Sequence, residues 1–247
     1  MKQHAINKVA LITGASRGIG AAIAERLASD GFSVVINYAG NQVMADELVH
    51  QLQLAGAQAI AIQADISDAS SVKRLFDEAE SAFGGIDILV NNAGVMALAT
   101  VEEMNDADVD RLLDINLKGT FYTSREAAKR LKHGGRIINF SSSVVGLLQP
   151  GYSMYAATKA GVEALTSVMA KEMRGRNITV NSIAPGPTAT ELFLNGKSPE
   201  LVEKLAHLAP LERLGQPEDI ASAVSYLAGP DGAWVNGQTL RVNGGII

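Results

Sequence analysis

Cysteine is absent from the chain. That excludes disulfides, thiolate nucleophiles and cysteine-ligated metals, and it suits a reducing compartment, so a cytoplasmic location is expected. No apolar run approaches the roughly 20 residues that cross a bilayer. Lys2 and Lys8 lie near the first apolar run, but residues 9–12 are far too short for the h-region of a secretory signal and pass straight into a glycine turn, so they read as a first strand. An excess of positive charge is also lacking. The net charge of -5, with Lys and Arg scattered among the acids, leaves no electrostatic footprint for nucleic acid or an anionic membrane, and neither is expected as a partner. His4, His50, His133 and His207 are isolated and lack ligand spacing, so no metal site is expected and a metal-dependent hydrolase finds no support.

What is present is a regular alternation. Short β-branched runs at residues 8–13, 33–38, 58–63, 86–91, 136–141, 178–183 and 238–242 read as strands. Between them lie segments of helical period near residues 19–29, 42–55, 70–83, 106–131, 155–174, 199–208 and 218–228. Asp68 and Ser70 are candidate caps for the third helix, Gly31, Gly84 and Gly134 follow helix ends, and Pro217 suits a first turn. Repeated βαβ units of this kind build a parallel sheet with helices on both faces. With no linker or repeat to interrupt the series, residues 1–247 are expected to form one doubly wound, Rossmann-like α/β domain with a seven-stranded sheet. Residues 185–211 are the one long irregular insertion and follow a strand's C-terminal end, which makes them a lid candidate.

The first strand runs into Thr13-Gly14-Ala15-Ser16-Arg17-Gly18-Ile19-Gly20, which opens a helix. Glycines allow a tight turn and close approach to a pyrophosphate, while the helix start offers free N–H groups and the positive end of its dipole. An acid usually stands at the end of the second strand to hold the ribose 2′-hydroxyl of NAD. Here that end reads Val35-Ile36-Asn37-Tyr38-Ala39-Gly40-Asn41, without one. A 2′-phosphate therefore meets no repulsion there, and Arg17 either supplies the matching charge or stands as a solvated loop residue. NADP(H) is expected over NAD(H). Asp65, past the third strand, is either an acceptor for an adenine amine or a turn residue. Asn91-Asn92-Ala93-Gly94 forms a further small-residue turn after the fourth strand.

Tyr155 and Lys159 are four residues apart, on one face of a helix. A tyrosine with a pKa of about 10 works near neutrality only beside a group that stabilises its phenolate, and a lysine does so. Ser141, Ser142 and Ser143 close the fifth strand, at the sheet edge where a hydroxyl can reach a substrate oxygen. Spacing favours Ser142, whereas the following Val144-Val145-Gly146 argues for Ser143. Asn116 lies within the long fourth helix, where an ordinary polar role is the alternative.

Thr13 to Gly20, Asn91 to Gly94, Asn116, Ser142, Tyr155 to Lys159 and Pro185-Gly186 together resemble the short-chain dehydrogenase/reductase family over essentially the whole chain. The resemblance implies carbonyl/alcohol interconversion with a nicotinamide cofactor. It makes Tyr155 the proton donor, Lys159 the group that lowers its pKa and holds the cofactor ribose, Ser142 the hydrogen-bond donor to the substrate oxygen, and Asn116 the holder of a relay water. It also implies that Gly14, Ser16, Arg17, Gly18, Ile19, Gly20, Asn37, Tyr38, Asp65, Ile66, Asn92, Ala93 and Gly94 line the dinucleotide. Pro185, Gly186 and Thr188 then meet its nicotinamide end. The family commonly forms tetramers, so a homotetramer or homodimer is expected.

The resemblance implies a small carbonyl or alcohol compound as substrate, with 3-oxoacyl thioesters as one specific possibility and a non-catalytic dinucleotide sensor as the alternative class. By position, Val95, Met96, Leu147, Leu148, Tyr152, Met154, Leu192 and Phe193 are either substrate walls or core. Lys129, Arg130, Lys132, Arg174 and Arg176 gather near two helix C-termini, either as a docking surface for a carrier-bound thioester or as ordinary complements to the helix dipole.

Overall fold

A computed structural model describes residues 8–247; the sequence readings on Lys2 and His4 lie outside the described residues. Seven parallel strands form one sheet: β1 (Val9–Ile12), β2 (Ser33–Tyr38), β3 (Ala59–Gln63), β4 (Ile88–Asn91), β5 (Arg136–Phe140), β6 (Thr179–Pro185) and β7 (Thr239–Val242). Their order is β3-β2-β1-β4-β5-β6-β7. The helices are α1 (Gly18–Ser29), α2 (Gln42–Leu54), α3 (Ala69–Phe83), α4 (Asp106–Leu112), α5 (Thr120–Arg130), α6 (Val144–Leu147), α7 (Ser153–Glu172), α8 (Glu191–Leu194), α9 (Pro199–Ala206) and α10 (Pro217–Ala228).

Side chains alternate across each strand, and both faces of this sheet are covered, so strands read as continuous apolar runs. In β1, Ala10 and Ile12 join a core with Ile23 and Leu27 of α1, Leu48 of α2 and Val224 of α10. Val9 and Leu11 point the other way, to Leu75 and Phe76 of α3, Ala127 of α5 and Met169 of α7. The strand order reverses between β1 and β4, and a crevice opens beyond the carboxyl ends there.

Most expected elements are present within one or two residues of their expected ends. Asp68, rather than Ser70, caps α3: its carboxylate accepts from the backbone N–H groups of Ser70 and Ser71. The expected helix over 106–131 is not uniform. Between α4 and α5 the chain widens into a π-helical segment, Leu113–Gly119. Such a turn leaves hydrophobic spacing nearly intact, so periodicity does not reveal it. Two single-turn helices, α6 and α8, are too short for a periodic signal.

Candidate active site

A cavity of about 910 Å³ follows the carboxyl edge of the sheet from the end of β2 to residues 185–208. All of the glycine-turn residues proposed for a cofactor reach it, as do Asn37, Tyr38, Asp65, Ile66, Asn92, Ala93, Gly94, Pro185, Gly186 and Thr188. At Gly14 and Gly20 the turn leaves no room for side chains. Gly14 has φ +60°, and a Cβ there would stand 2.9 Å from the Cα of Ala93. A Cβ on Gly20 would stand 2.5 Å from the Gly14 carbonyl oxygen and 2.6 Å from the Asn92 amide nitrogen.

Arg17 occupies the N-cap of α1 without a side-chain cap, and no acid stands in the first turn. The leading N–H groups and the dipole's positive end therefore face the cavity without a protein anion on the helix itself. This cradle, filled by any Cβ and rich in N–H donors, fits the pyrophosphate of a dinucleotide.

Polar side chains around the turn brace it. Asn37 is buried; its Oδ1 accepts from Gly14 N at 3.3 Å and its Nδ2 donates to Ala64 O at 3.0 Å. Asn92 Nδ2 donates to the carbonyls of Thr13 and Gly14 at 2.9 and 3.0 Å. Asp65 Oδ1 accepts from Ser67 N and Oγ at 2.9 and 2.7 Å, which is the turn role; the residue still faces the cavity. Arg17 is exposed and pairs with Glu191 at 2.7 Å.

At the other end, β5 and α7 bring Ser142, Tyr155 and Lys159 together. Tyr155 is half-buried, and loss of solvent pushes its phenol up to about 12, against the lowering effect of a hydrogen bond with Ser142. Lys159 is buried, and loss of hydration pulls its ammonium down to about 8. Its Nζ lies 5.8 Å from the Tyr155 ring centroid and donates to the Phe140 carbonyl at 2.9 Å.

The three serines have different surroundings. Ser141 Oγ donates to Glu163 at 2.7 Å, and Ser143 Oγ accepts from Asn243 Nδ2 at 3.0 Å while facing the Ala184 carbonyl at 3.3 Å. Ser142 lines the cavity with Tyr155, and its Oγ accepts only a long bond from Val144 N at 3.4 Å, which leaves its proton free. Asn116 is fully buried in the π-helical segment and lies behind the cavity wall: its Oδ1 accepts from Val95 N at 2.8 Å and its Nδ2 donates to Val95 O at 2.9 Å.

Two expected wall residues do not belong to the cavity. Leu148 caps α6 in the left-handed region and is 72% exposed, and Met154 falls outside the lining; Val95, Met96, Leu147, Tyr152, Leu192 and Phe193 do line it. Gln149, Glu191 and Ile246 also line it, and sequence reasoning missed them. A single Gln on a loop, Glu in a one-turn helix or Ile on a tail carries no spacing signal. Three of the five residues of the basic cluster meet acids, whereas Arg174 and Arg176 make no ion pair among the described residues. Arg130 pairs with Asp77, Glu80 and Glu126, Lys129 with Glu126, and Lys132 lies 3.6 Å from Asp87. Arg176 donates to the carbonyls of Ala128 and Leu131.

Comparisons agree with this geometry. Residues 14–247 match a family model described as enoyl-(acyl carrier protein) reductase. A short-chain type dehydrogenase/reductase of Picea abies is 48% identical, covering 96% of this chain and 92% of its own. An NADPH-dependent aldehyde reductase-like protein, chloroplastic, of Arabidopsis thaliana is 45% identical over 97% of this chain and 94% of its own. The crystal structure of a short chain dehydrogenase from Burkholderia cenocepacia in complex with NADP superimposes with a TM-score of 0.92 at 38% identity, covering 97% of this chain and 98% of that one. The chain belongs to the short-chain dehydrogenase/reductase family. It is an oxidoreductase acting between carbonyl and alcohol with a nicotinamide dinucleotide as cosubstrate. Among the described residues, no helix is long and apolar enough to cross a membrane.

Proposed function

We propose that this chain is an NADPH-dependent reductase of small apolar or mixed aldehydes and ketones, acting through Ser142, Tyr155 and Lys159. The observation that carries the reading is half-buried Tyr155 beside buried Lys159 at the cavity's end, the ammonium 5.8 Å from the phenol ring centroid and Ser142 on the same cavity wall. A bound nicotinamide supplies the hydride. Ser142 donates a hydrogen bond to the substrate oxygen and fixes the carbonyl beside Tyr155. Tyr155 gives its proton to that oxygen and becomes a phenolate. Lys159, charged below about pH 8, stabilises the phenolate that the apolar surroundings disfavour. Asn116 acts from behind, its amide holding the Val95 backbone and donating to Thr158 Oγ1 at 3.4 Å.

NADPH is favoured over NADH by the absence of an acid at the end of β2 and by Arg17 on the cavity wall. Residues 185–211 act as a lid, since they carry Leu192, Phe193, Leu205 and Leu208 on the substrate side. Free carbonyl compounds are favoured over carrier-bound thioesters by the internal pairing of Lys129, Arg130 and Lys132 in the basic cluster. Residues 1–247 act as one domain. Exposed Phe121, Val168, Trp234 and Leu240 support assembly into a homotetramer. The lack of cysteine supports a cytoplasmic location, although an Arabidopsis relative is named chloroplastic.

The test is loss of reduced-nicotinamide absorbance on mixing the protein with NADPH or NADH and a panel of aldehydes, ketones, quinones, sugars and acetoacetyl and enoyl thioesters. Turnover of free aldehydes or ketones with NADPH is expected. Tight NADPH binding without turnover of any compound favours a sensor, and turnover confined to thioesters overturns the substrate assignment.

A further inference from the structure

The geometry points to Glu191 as a residue that sets the dinucleotide preference, by competing with a 2′-phosphate for Arg17. This rests on the reading that Arg17 meets that phosphate.

Where the ribose of NAD usually finds a carboxylate, β2 closes with Asn37 and Tyr38, and the Asn37 amide is turned inward onto Gly14 and Ala64. The fold brings a carboxylate from elsewhere. Glu191, 174 residues along the chain from Arg17, opens α8 and places Oε2 2.7 Å from Arg17 Nη1. The approach is part of the packing of two segments, because a Cβ on Gly18 would stand 3.6 Å from Thr190 Cγ2. Among the described residues, Arg17 and Lys159 are the cations lining the cavity, and Asp65 and Glu191 its acids. Lys159 is held at the far end by the Phe140 carbonyl, and Asp65 is engaged by Ser67. Among the described residues, Arg17 and Glu191 make no other ion pair.

A dinucleotide with a 2′-hydroxyl leaves this pair undisturbed. One with a 2′-phosphate has two choices: draw Arg17 away from Glu191, or place its own negative charge beside the carboxylate. Either choice weakens NADPH binding and leaves NADH binding alone. Both side chains are more than half exposed, at 58% and 71%, so the pair is screened and exchangeable. An exposed pair of this kind shifts an equilibrium by up to about fivefold, and like-charge repulsion adds to that. Glu191 thus moderates the preference that Arg17 creates.

The experiment is direct titration of NADPH and NADH, followed by quenching of protein fluorescence or by calorimetry, on the unmodified chain, Glu191→Gln, Arg17→Ala and the double variant. Glu191→Gln is expected to tighten NADPH about threefold to tenfold and to leave NADH within about twofold. The gain is expected to disappear in the Arg17→Ala background and to shrink at high salt. Unchanged or weaker NADPH binding in Glu191→Gln, or equal tightening of both dinucleotides, overturns the proposal while selective NADPH loss in Arg17→Ala preserves the reading of Arg17. Equal loss of both dinucleotides in Arg17→Ala overturns that reading and the proposal with it.

Discussion

Replacing Lys159 by methionine should make the protein more stable and inactive. The side chain is 5% exposed, and its ammonium has the Phe140 carbonyl as hydrogen-bond partner at 2.9 Å. Loss of hydration lowers its pKa from 10.5 to about 8. The folded state therefore holds this proton less tightly than the unfolded state does. Below about pH 8 the charged group opposes folding in full, and the opposition fades as pH rises from about 8 toward 10.5. At roughly 1.4 kcal/mol per pH unit, the difference amounts to about 3 kcal/mol. Methionine keeps the apolar stem and leaves the Phe140 carbonyl without its donor, which costs about 1 kcal/mol. The net gain at pH 7 is about 2 kcal/mol, or roughly 4–8 °C in Tm for a chain of this size. Thermal unfolding of both proteins at pH 7 and pH 10, followed by circular dichroism, measures it. The gap should be clear at pH 7 and close or reverse at pH 10, because the unmodified chain has then shed its charge. A variant less stable at pH 7, or a gap that does not change with pH, refutes desolvation of Lys159 as its origin.

Tyr155→Phe should lower kcat by about 10²- to 10⁴-fold, as expected for loss of a proton donor, with NADPH Kd within about twofold in a fluorescence titration; retained turnover removes Tyr155 from its role. Ser142→Ala should lower kcat by about 10²-fold, the effect of one lost donor to a developing oxyanion. Ser143→Ala should instead cost about 1 kcal/mol of stability through its lost bonds to Asn243 and Ala184; the reverse pattern in kinetics and urea unfolding would exchange the two serines. Gly20→Ala should destabilise the chain by about 1–3 kcal/mol and abolish dinucleotide binding, because its Cβ meets Gly14 and Asn92 at 2.5 and 2.6 Å; normal stability with normal binding would mean that the turn can open.

Strands and long helices were legible because their signals are local. The burial of both sheet faces makes Val9–Ile12 and residues 34–36 continuous apolar runs, and a four-residue spacing puts Tyr155 and Lys159 one helical turn apart. The π-helical segment around Asn116 was not legible, since one widened turn barely alters the apolar spacing. Nor was the exclusion of Leu148 from the cavity: a leucine near a site looks alike on either side of a loop, and its left-handed backbone turns it to solvent.

The amino-acid order by itself determined the alternation of elements, the glycine-rich turn between the first strand and helix, and the residue types available for proton transfer. Each depends on neighbours within a few positions, where spacing and backbone geometry suffice. Tertiary structure decided which chemically equivalent groups stand free. It occupies Ser141 with Glu163 and Ser143 with Asn243, turns the Asn37 amide inward, pairs Arg130 with Asp77 and Glu80, and brings Glu191 to Arg17. Those outcomes depend on contacts between residues far apart in sequence, and a hydroxyl or a charge carries no local mark of the partner it will meet.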